Sequence, residues 1–250
     1  MGRHCKCHKH KKCYNCREEL AKFNKYFSST GSSNIMKKTF FQAGANAQAP
    51  GWPGQLTSTS FPCSPEKYDM WCADFNNDVY DISDEPFIPN GSGITSYEML
   101  SLLAPNSGEV FLSKTSGGEY PYFTTYFQGI NFILNKVKMY IQVNMFTGTD
   151  VQGAIWNLIQ NNDLSNLNPD FGGIPENVRV IVDEAVAVQE TWNQDKNDCK
   201  YLLPNKRVGV LLFPQKLSNG QEEVSYQILL LSLTLCQFKK LVKQCHNKFC

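Results

Sequence analysis

The pattern of apolar residues in this 250-residue chain predicts an α+β fold, with helices in the middle of the sequence and strands on either side. Three segments after Pro121 repeat apolar residues at helical spacing, while the stretches near residues 68–75, 207–213 and 224–235 have the length and composition of strands. Hydrophobic residues make up 42% of the chain, with sixteen Phe, eleven Tyr and four Trp, which excludes wholesale disorder and provides for one sizeable core. Charge sets the ends apart from the middle. Residues 1 to 38 carry ten Lys/Arg against two Glu and residues 224 to 250 carry four Lys and no acid, so the stretch between them bears a net charge of −11.

The elements follow in order. Residues 1 to 38 read as a basic Cys/His-rich tail and linker: Leu20, Phe23 and Phe27 recur at helical spacing, and Ser28 to Ser33 has linker composition. The folded domain is expected from residue 39 to 235, with 236 to 250 a basic, Cys-containing C-terminal tail. Gln42 to Ser60, rich in Ala, Gly, Pro and Ser, reads as a long loop or arm. From Tyr68 the chain suits a strand followed by an acidic turn. There Asp74, Asp78, Asp81, Asp84 and Glu85 lack the ordered spacing of an EF-hand loop and read as a solvated acidic loop.

The first helix is expected over Phe123 to Asn144, with Phe127, Ile130, Ile133, Leu134, Val137 and Ile141 inward. The second is expected over Val151 to Gln160, with Thr149 or Asp150 as its N-cap. The third runs from Pro175, suited to a first helical position, to about Thr191. Strands at Arg207 to Phe213 and Val224 to Leu235, joined through a turn at Ser218-Asn219-Gly220, close the domain. The longest apolar run, Ile228 to Leu235, is interrupted by Ser232 and Thr234 and is too short to span a bilayer.

All four histidines, His4, His8, His10 and His246, lie near the ends. A Ser-His or Cys-His hydrolase built from core residues is excluded unless a tail folds back, and the usual zinc-enzyme ligand sets are missing from the core. There is no Gly-Lys-Ser/Thr phosphate loop and no Gly-x-Gly-x-x-Gly. A core cysteine can still carry an acyl group delivered within the chain. Gln152, near the start of a capped helix, would meet unpaired backbone N–H groups able to stabilise an oxyanion, and Trp71, Phe75 and Trp156 could form an apolar wall that excludes water. Alternatively Cys72 is a small buried hydrophobe or disulfide partner, Gln152 a helix-start residue and Trp156 plain core.

Trp71-Cys72 and Val151-Gln152-Gly153-Ala154-Ile155-Trp156, in this order, resemble the paired motifs of thioester domains, modules of bacterial surface adhesins that also occur in other secreted proteins. The resemblance covers about Tyr68 to Pro214 and includes Ile130-Asn131-Phe132-Ile133-Leu134-Asn135, which is similar to the helix preceding the glutamine in many members. Trp before the cysteine departs from the family's usual Tyr, Phe or Leu. The resemblance implies a β-sandwich or barrel carrying an inserted helical subdomain, flanked here by the basic Cys-rich tails. It also implies an internal thioester between Cys72 and Gln152 that reacts once with an amine on a surface protein or glycan-associated partner. Such a chain is an attachment module and not an enzyme, needs no cofactor and no small-molecule substrate, and works outside the cell or on a surface.

The N-terminal run Cys5-x-Cys7-His8-x-His10-x-x-Cys13-x-x-Cys16 is a second candidate site. Its thiolates and imidazoles suit zinc, although a Cys/His tail that binds metal loosely or cross-links by disulfides fits equally well. Basic tails on an acidic core suggest contact with an anionic surface, or simply solubility. No apolar h-region follows Met1, so an ordinary signal peptide is not expected, and Asn90-Gly91-Ser92 is a glycosylation sequon that matters only on export. Two further readings stay open: a structural or particle-surface protein with the same fold and no thioester, assembled through its tails, and a zinc-dependent nucleic-acid binder acting through residues 1 to 38.

Overall fold

The computed structural model describes residues 35–37, 41–43, 54–58, 66–75, 94–104, 107–115, 121–194, 207–216 and 228–234. The described residues include seven strands: β1 (Ile35–Lys37), β2 (Phe41–Ala43), β3 (Gly54–Ser58), β4 (Glu66–Cys72), β5 (Ile94–Ser101), β6 (Arg207–Lys216) and β7 (Leu229–Thr234). They form one sheet in the order β1-β5-β6-β7-β4-β3-β2, every neighbouring pair antiparallel. Between β5 and β6 in sequence come helices α1 (Ser107–Lys114), α2 (Phe127–Gln142), α3 (Gly148–Gln160) and α4 (Pro175–Gln194), with a short 3-10 turn at Pro169–Phe171. The architecture is α+β, as expected. Among the described residues the strands lie in this one sheet, with β1 and β2 at its ends, and no second sheet faces it.

Register places the central strands side by side in two kinds of row. Trp71, Leu230, Leu211 and Leu100 stand opposite one another across β4, β7, β6 and β5, and all four belong to the core that the helices complete. One residue along, Cys72, Leu229, Leu212 and Met99 form the adjacent row, which points to the opposite face because side chains alternate along a strand. That row is buried too. Burial on both faces explains why Val208 to Phe213 and Ile228 to Leu231 are continuous apolar runs without polar alternation.

The helical layer is built around α4, which packs on α2 and α3, while α2 lies on β6 and α3 reaches β4. Inward residues such as Ile130, Ile133, Leu134, Ile155, Leu158, Val178, Ile181 and Ala185 are those that helical periodicity selects. Val137 packs against this core only partly buried, and Ile141 and Val188 are not among the core residues.

The helices hold the sheet with polar side chains as well. Asn135 of α2 donates to the carbonyl of Arg207 (2.9 Å) and accepts from its N–H (2.8 Å), and Asn131 Oδ1 accepts from Gly209 N–H (2.8 Å). These amides serve as a strand partner where the pairing of β5 ends, since Ser101 is the last residue in register with β6. Gln189 of α4 plays a related part, accepting from the N–H groups of Gln128 and Gly129 at the start of α2. That end has no cap from its own N-cap side chain, Tyr126.

Several expectations are corrected. The first helix begins at Phe127 and not at Phe123, whose N–H is bonded to the carbonyl of Ile159 (2.6 Å). Part of Gln42 to Ser60 is strand, since β3 lies against β4 from Gly54 to Ser58 despite a sequence, Gly-Gln-Leu-Thr-Ser, with no strand-like alternation. Strand β1 falls inside the segment read as tail and linker, and pairs with β5. Both β5 and α1 lie where no element was anticipated. The expected turn at Ser218-Asn219-Gly220 lies outside the described residues, as do residues 1 to 34 and 235 to 250. No helix among the described residues is long and apolar enough to cross a membrane.

Candidate functional site

Cys72 is the last residue of β4, and among the described residues only one of its two edges is paired with a strand. On one side β7 continues, with Cys72 opposite Leu229 and Ala73 N–H bonded to the carbonyl of Ile228 (2.9 Å). On the other side the register of β3 ends with Gly54 opposite Met70, two residues short of Cys72. Gln152 fills the vacated edge. Its Oε1 accepts from Cys72 N–H and its Nε2 donates to the Cys72 carbonyl, each at 2.8 Å, between residues 80 apart in sequence. Cys72 is 1% exposed and Gln152 0%.

Gln152 is delivered there by α3, whose start differs from expectation. The N-cap is Thr147, in extended conformation: its hydroxyl accepts from Asp150 N–H (3.1 Å) and the Asp150 carboxylate accepts from Thr147 N–H (2.7 Å), a capping box. Thr149 and Asp150, the expected caps, are therefore inside the helix. Gln152 becomes the fifth residue of α3, beyond the unpaired N–H groups of the first turn. The donor that meets its carbonyl oxygen is the N–H of Cys72 and not the helix end.

Asp150 also holds the helix start to its surroundings. Its carboxylate accepts from Ile174 N–H (2.6 Å) and from the Asn177 side chain (3.1 Å), linking α3 to the turn before α4. Burial works to raise its carboxyl, but the donated hydrogen bonds from Ile174, Thr147 and Asn177 outweigh that and hold it below the usual carboxylate range. Gly153 brings α3 close to the same turn: a Cβ there would lie 2.5 Å from the carbonyl oxygen of Gly172.

Four residues further along α3, and so on the same face, stands Trp156, and four beyond that Gln160. Trp156 meets Phe75 edge to face with ring centroids 5.1 Å apart, and Phe171 packs on both, at 4.8 Å from Phe75 and 6.3 Å from Trp156. Gln160 Oε1 accepts from Phe75 N–H (2.6 Å), so α3 grips the chain at both residue 72 and residue 75. Of the three residues expected to form an apolar wall, Phe75 and Trp156 pack on each other. Trp71 is placed elsewhere, in the helix-facing core on the other side of the strand from the thiol.

Phe171 and Gln160 were missed. The recurrence of Gln, Trp and Gln at four-residue intervals was a readable signal for Gln160, whereas nothing local marks Phe171. Asp74, read as part of a solvated acidic loop, is instead fully buried. Its acidic companions Asp78, Asp81, Asp84 and Glu85 lie outside the described residues. So do Cys5, Cys7, His8, His10, Cys13, Cys16 and Asn90; among the described residues no group of His, Cys, Asp and Glu is arranged to hold a metal ion.

No protein-family model and no curated protein matches the chain. Among solved structures, the N-terminal thioester domain of a surface protein from Clostridium perfringens is similar to it at 15% sequence identity, over 72% of this chain and 89% of that chain, with a TM-score of 0.33.

Proposed function

We propose that this chain is a single-use covalent attachment module in which Cys72 and Gln152 condense to an internal thioester that later acylates an amine on a surface partner. The observation that carries the reading is the pairing of one glutamine amide with both backbone groups of the cysteine. An amide held in the hydrogen-bonding plane of the strand turns a face of its carbonyl carbon toward the side chain of residue 72, which rises out of that plane. Attack by sulfur forms the C–S bond, the oxyanion on Oε1 is met by Cys72 N–H, and Nε2 leaves as ammonia with the thiol's proton. Holding the reactants together supplies the rest, since effective molarity can replace roughly 7–11 kcal/mol of barrier. Burial keeps water from the bond, so the partner must displace its cover before its amine can react.

Intact mass of the non-reduced protein tests this. The expected result is a deficit of one ammonia, absent from Cys72→Ala and Gln152→Ala and converted by methylamine to the corresponding adduct. Full mass with a Cys72 that alkylates in the folded protein would sink the reading.

One observation favours a second reading, a structural or particle-surface protein that keeps the fold without the bond. Asn135 pairs with both backbone groups of Arg207 just as Gln152 does with Cys72, and no cysteine is involved there. An amide that completes a strand edge has a structural use of its own, and the mass measurement separates the two.

A further inference from the structure

We infer that Leu229 is the gate of the Cys72–Gln152 site, covering the sulfur on the face of the sheet that turns away from the helices. The inference deepens the attachment reading above and rests on it.

That face is enclosed by the sheet itself. Strands β1 and β2 lie at opposite edges, yet three residues, Lys38 to Phe40, separate them in the chain. Seven strands laid flat, spaced about 4.8 Å apart, would put those edges about 29 Å from one another. The chain from Lys37 to Phe41 reaches at most about 14 Å. The sheet therefore curls until its edges approach, as the wall of a barrel does, and one face turns inward. Met70, Met99, Val210, Leu212 and Leu231 are each no more than 3% exposed, and none belongs to the core that the helices complete. Theirs is the inward face.

Cys72 lies on it, because the preceding residue of the same strand, Trp71, is in the helix-facing core. Its partner across the strands is Leu229, the first residue of β7. Both backbone groups of Cys72 are taken by Gln152 on the far edge, and the bond to β7 comes from Ala73 N–H to the Ile228 carbonyl (2.9 Å). Cys72 and Leu229 thus form a non-hydrogen-bonded pair, the kind whose Cα atoms come within about 4.5 Å and whose side chains lie closest. Register with β3 stops at Met70, so Leu229 is the cross-strand neighbour of the sulfur. It is 7% exposed against 1% for Cys72, as a cover is to what it covers.

In the transfer step the amine nitrogen bonds to Cδ of Gln152, the C–S bond breaks, and one amine proton passes to the Cys72 sulfur. The thiol is regenerated and no further reactant is needed. An amine that reaches the bond from the sulfur's side of the strand has to displace Leu229, and so does water. The rate of opening is then set by how readily this one side chain gives way.

The test measures, by intact mass of the native full-length protein, how fast methylamine opens the bond in Leu229→Ala and in Leu231→Ala. Leu231 is the control: it lies on the same face of the same strand, opposite Met70, and is 0% exposed. Leu229→Ala is expected to react about tenfold faster than wild type and Leu231→Ala within about twofold of it, since only the first removes the contact that opening must break. Equal acceleration in the two would mean general loosening and would overturn the inference, as would a wild-type rate for Leu229→Ala. Should the Ala variants not fold, Leu229→Val and Leu231→Val make the same comparison with one methylene removed from each. A wild type with no ammonia deficit removes the thioester reading, and the cover is then judged on the free thiol. Alkylation of Cys72 by iodoacetamide, located by peptide mapping, should be faster in Leu229→Val than in Leu231→Val, and equal rates would overturn the assignment.

Discussion

The side-chain amide of Gln152 pairs with Cys72 as a neighbouring strand would, accepting from its N–H and donating to its carbonyl at 2.8 Å each. This makes Gln152 a structural residue whether or not it reacts. Truncation to Ala leaves two buried backbone groups unpaired, for which about 1–3 kcal/mol each is the usual cost. Gln152→Ala is therefore expected to lower the urea midpoint clearly, and Gln152→Glu to do so as well, since a carboxylate cannot donate to the Cys72 carbonyl. If Gln152→Ala unfolds at the wild-type midpoint with unchanged slope, the pairing is not formed in solution.

Asn135 provides the matched control. It makes the same pair of bonds with Arg207, at 2.9 and 2.8 Å, far from any cysteine in the described fold. Asn135→Ala is expected to cost a similar amount, about 1–3 kcal/mol, by the same unmet backbone groups. It should leave the intact mass unchanged relative to wild type apart from the substitution itself. A loss of the ammonia deficit in this variant, with the fold intact, would show that the deficit does not arise at Cys72 and Gln152.

What was readable in the sequence divides along physical lines. Helices α2, α3 and α4 announce themselves because each buries one stripe against a common core, and β6 and β7 because burial on both faces makes them uniformly apolar. Strands β1, β2 and β3 are short and owe their form to pairing with neighbours, a long-range cause that no local window contains. At the site, Cys72, Gln152, Phe75 and Trp156 were legible as motif residues, but their relation was not. The expected role of the helix end failed because the cap lay at Thr147, three residues before Asp150, where a Thr-x-x-Asp box competes with the polar residue nearest the first apolar one. Asp74 was misread because a run of acidic residues looks solvated, whereas this one, two residues beyond the end of β4, is buried.

Asp150 ties pH to the integrity of the site. Its carboxyl is held below its ordinary value, 3.8, so the folded state binds its proton less readily than the unfolded chain does. The sign follows: this stabilisation is complete above about pH 4 and is lost as pH falls below that through the folded-state value. Wild type is expected to lose stability on acidification in this window more steeply than Asp150→Asn, which is less stable at neutral pH. Parallel urea midpoints for the two proteins between pH 5 and about pH 2 would contradict the assignment.

Met145 occupies the left-handed region, with φ 60°, where the chain leaves α2 and turns into α3. Its neighbour Phe146 returns an N–H bond to the Tyr140 carbonyl (3.0 Å) and stacks on the Tyr140 ring, while the positive φ at Met145 is one that helix ends normally give to glycine. The side chain is 80% exposed and contributes little packing. Met145→Gly is thus expected to stabilise the protein by about 1 kcal/mol, the strain of a non-glycine residue at such a φ, less some backbone entropy. A lowered melting temperature would show that the methionine makes a contribution its exposure conceals.

Gly153 tests whether the position of α3 governs the chemistry. A methyl group there meets the Gly172 carbonyl oxygen at 2.5 Å, well inside contact distance and against backbone, so Gly153→Ala must push α3 away from the turn or distort the turn itself. The neighbouring Gln152 moves with the helix, and a shift of a few tenths of an ångström stretches both of its bonds to Cys72. Overpacking of this kind costs about 1–3 kcal/mol, so a folded but weakened protein is expected. Under the thioester reading its condensation slows by more than its loss of stability implies, because attack geometry is more sensitive to misplacement than packing is. Under the structural reading only stability changes. Measuring the urea midpoint and the ammonia deficit on one preparation of Gly153→Ala distinguishes these outcomes, and an unchanged midpoint would mean that the turn at Gly172 yields without moving α3.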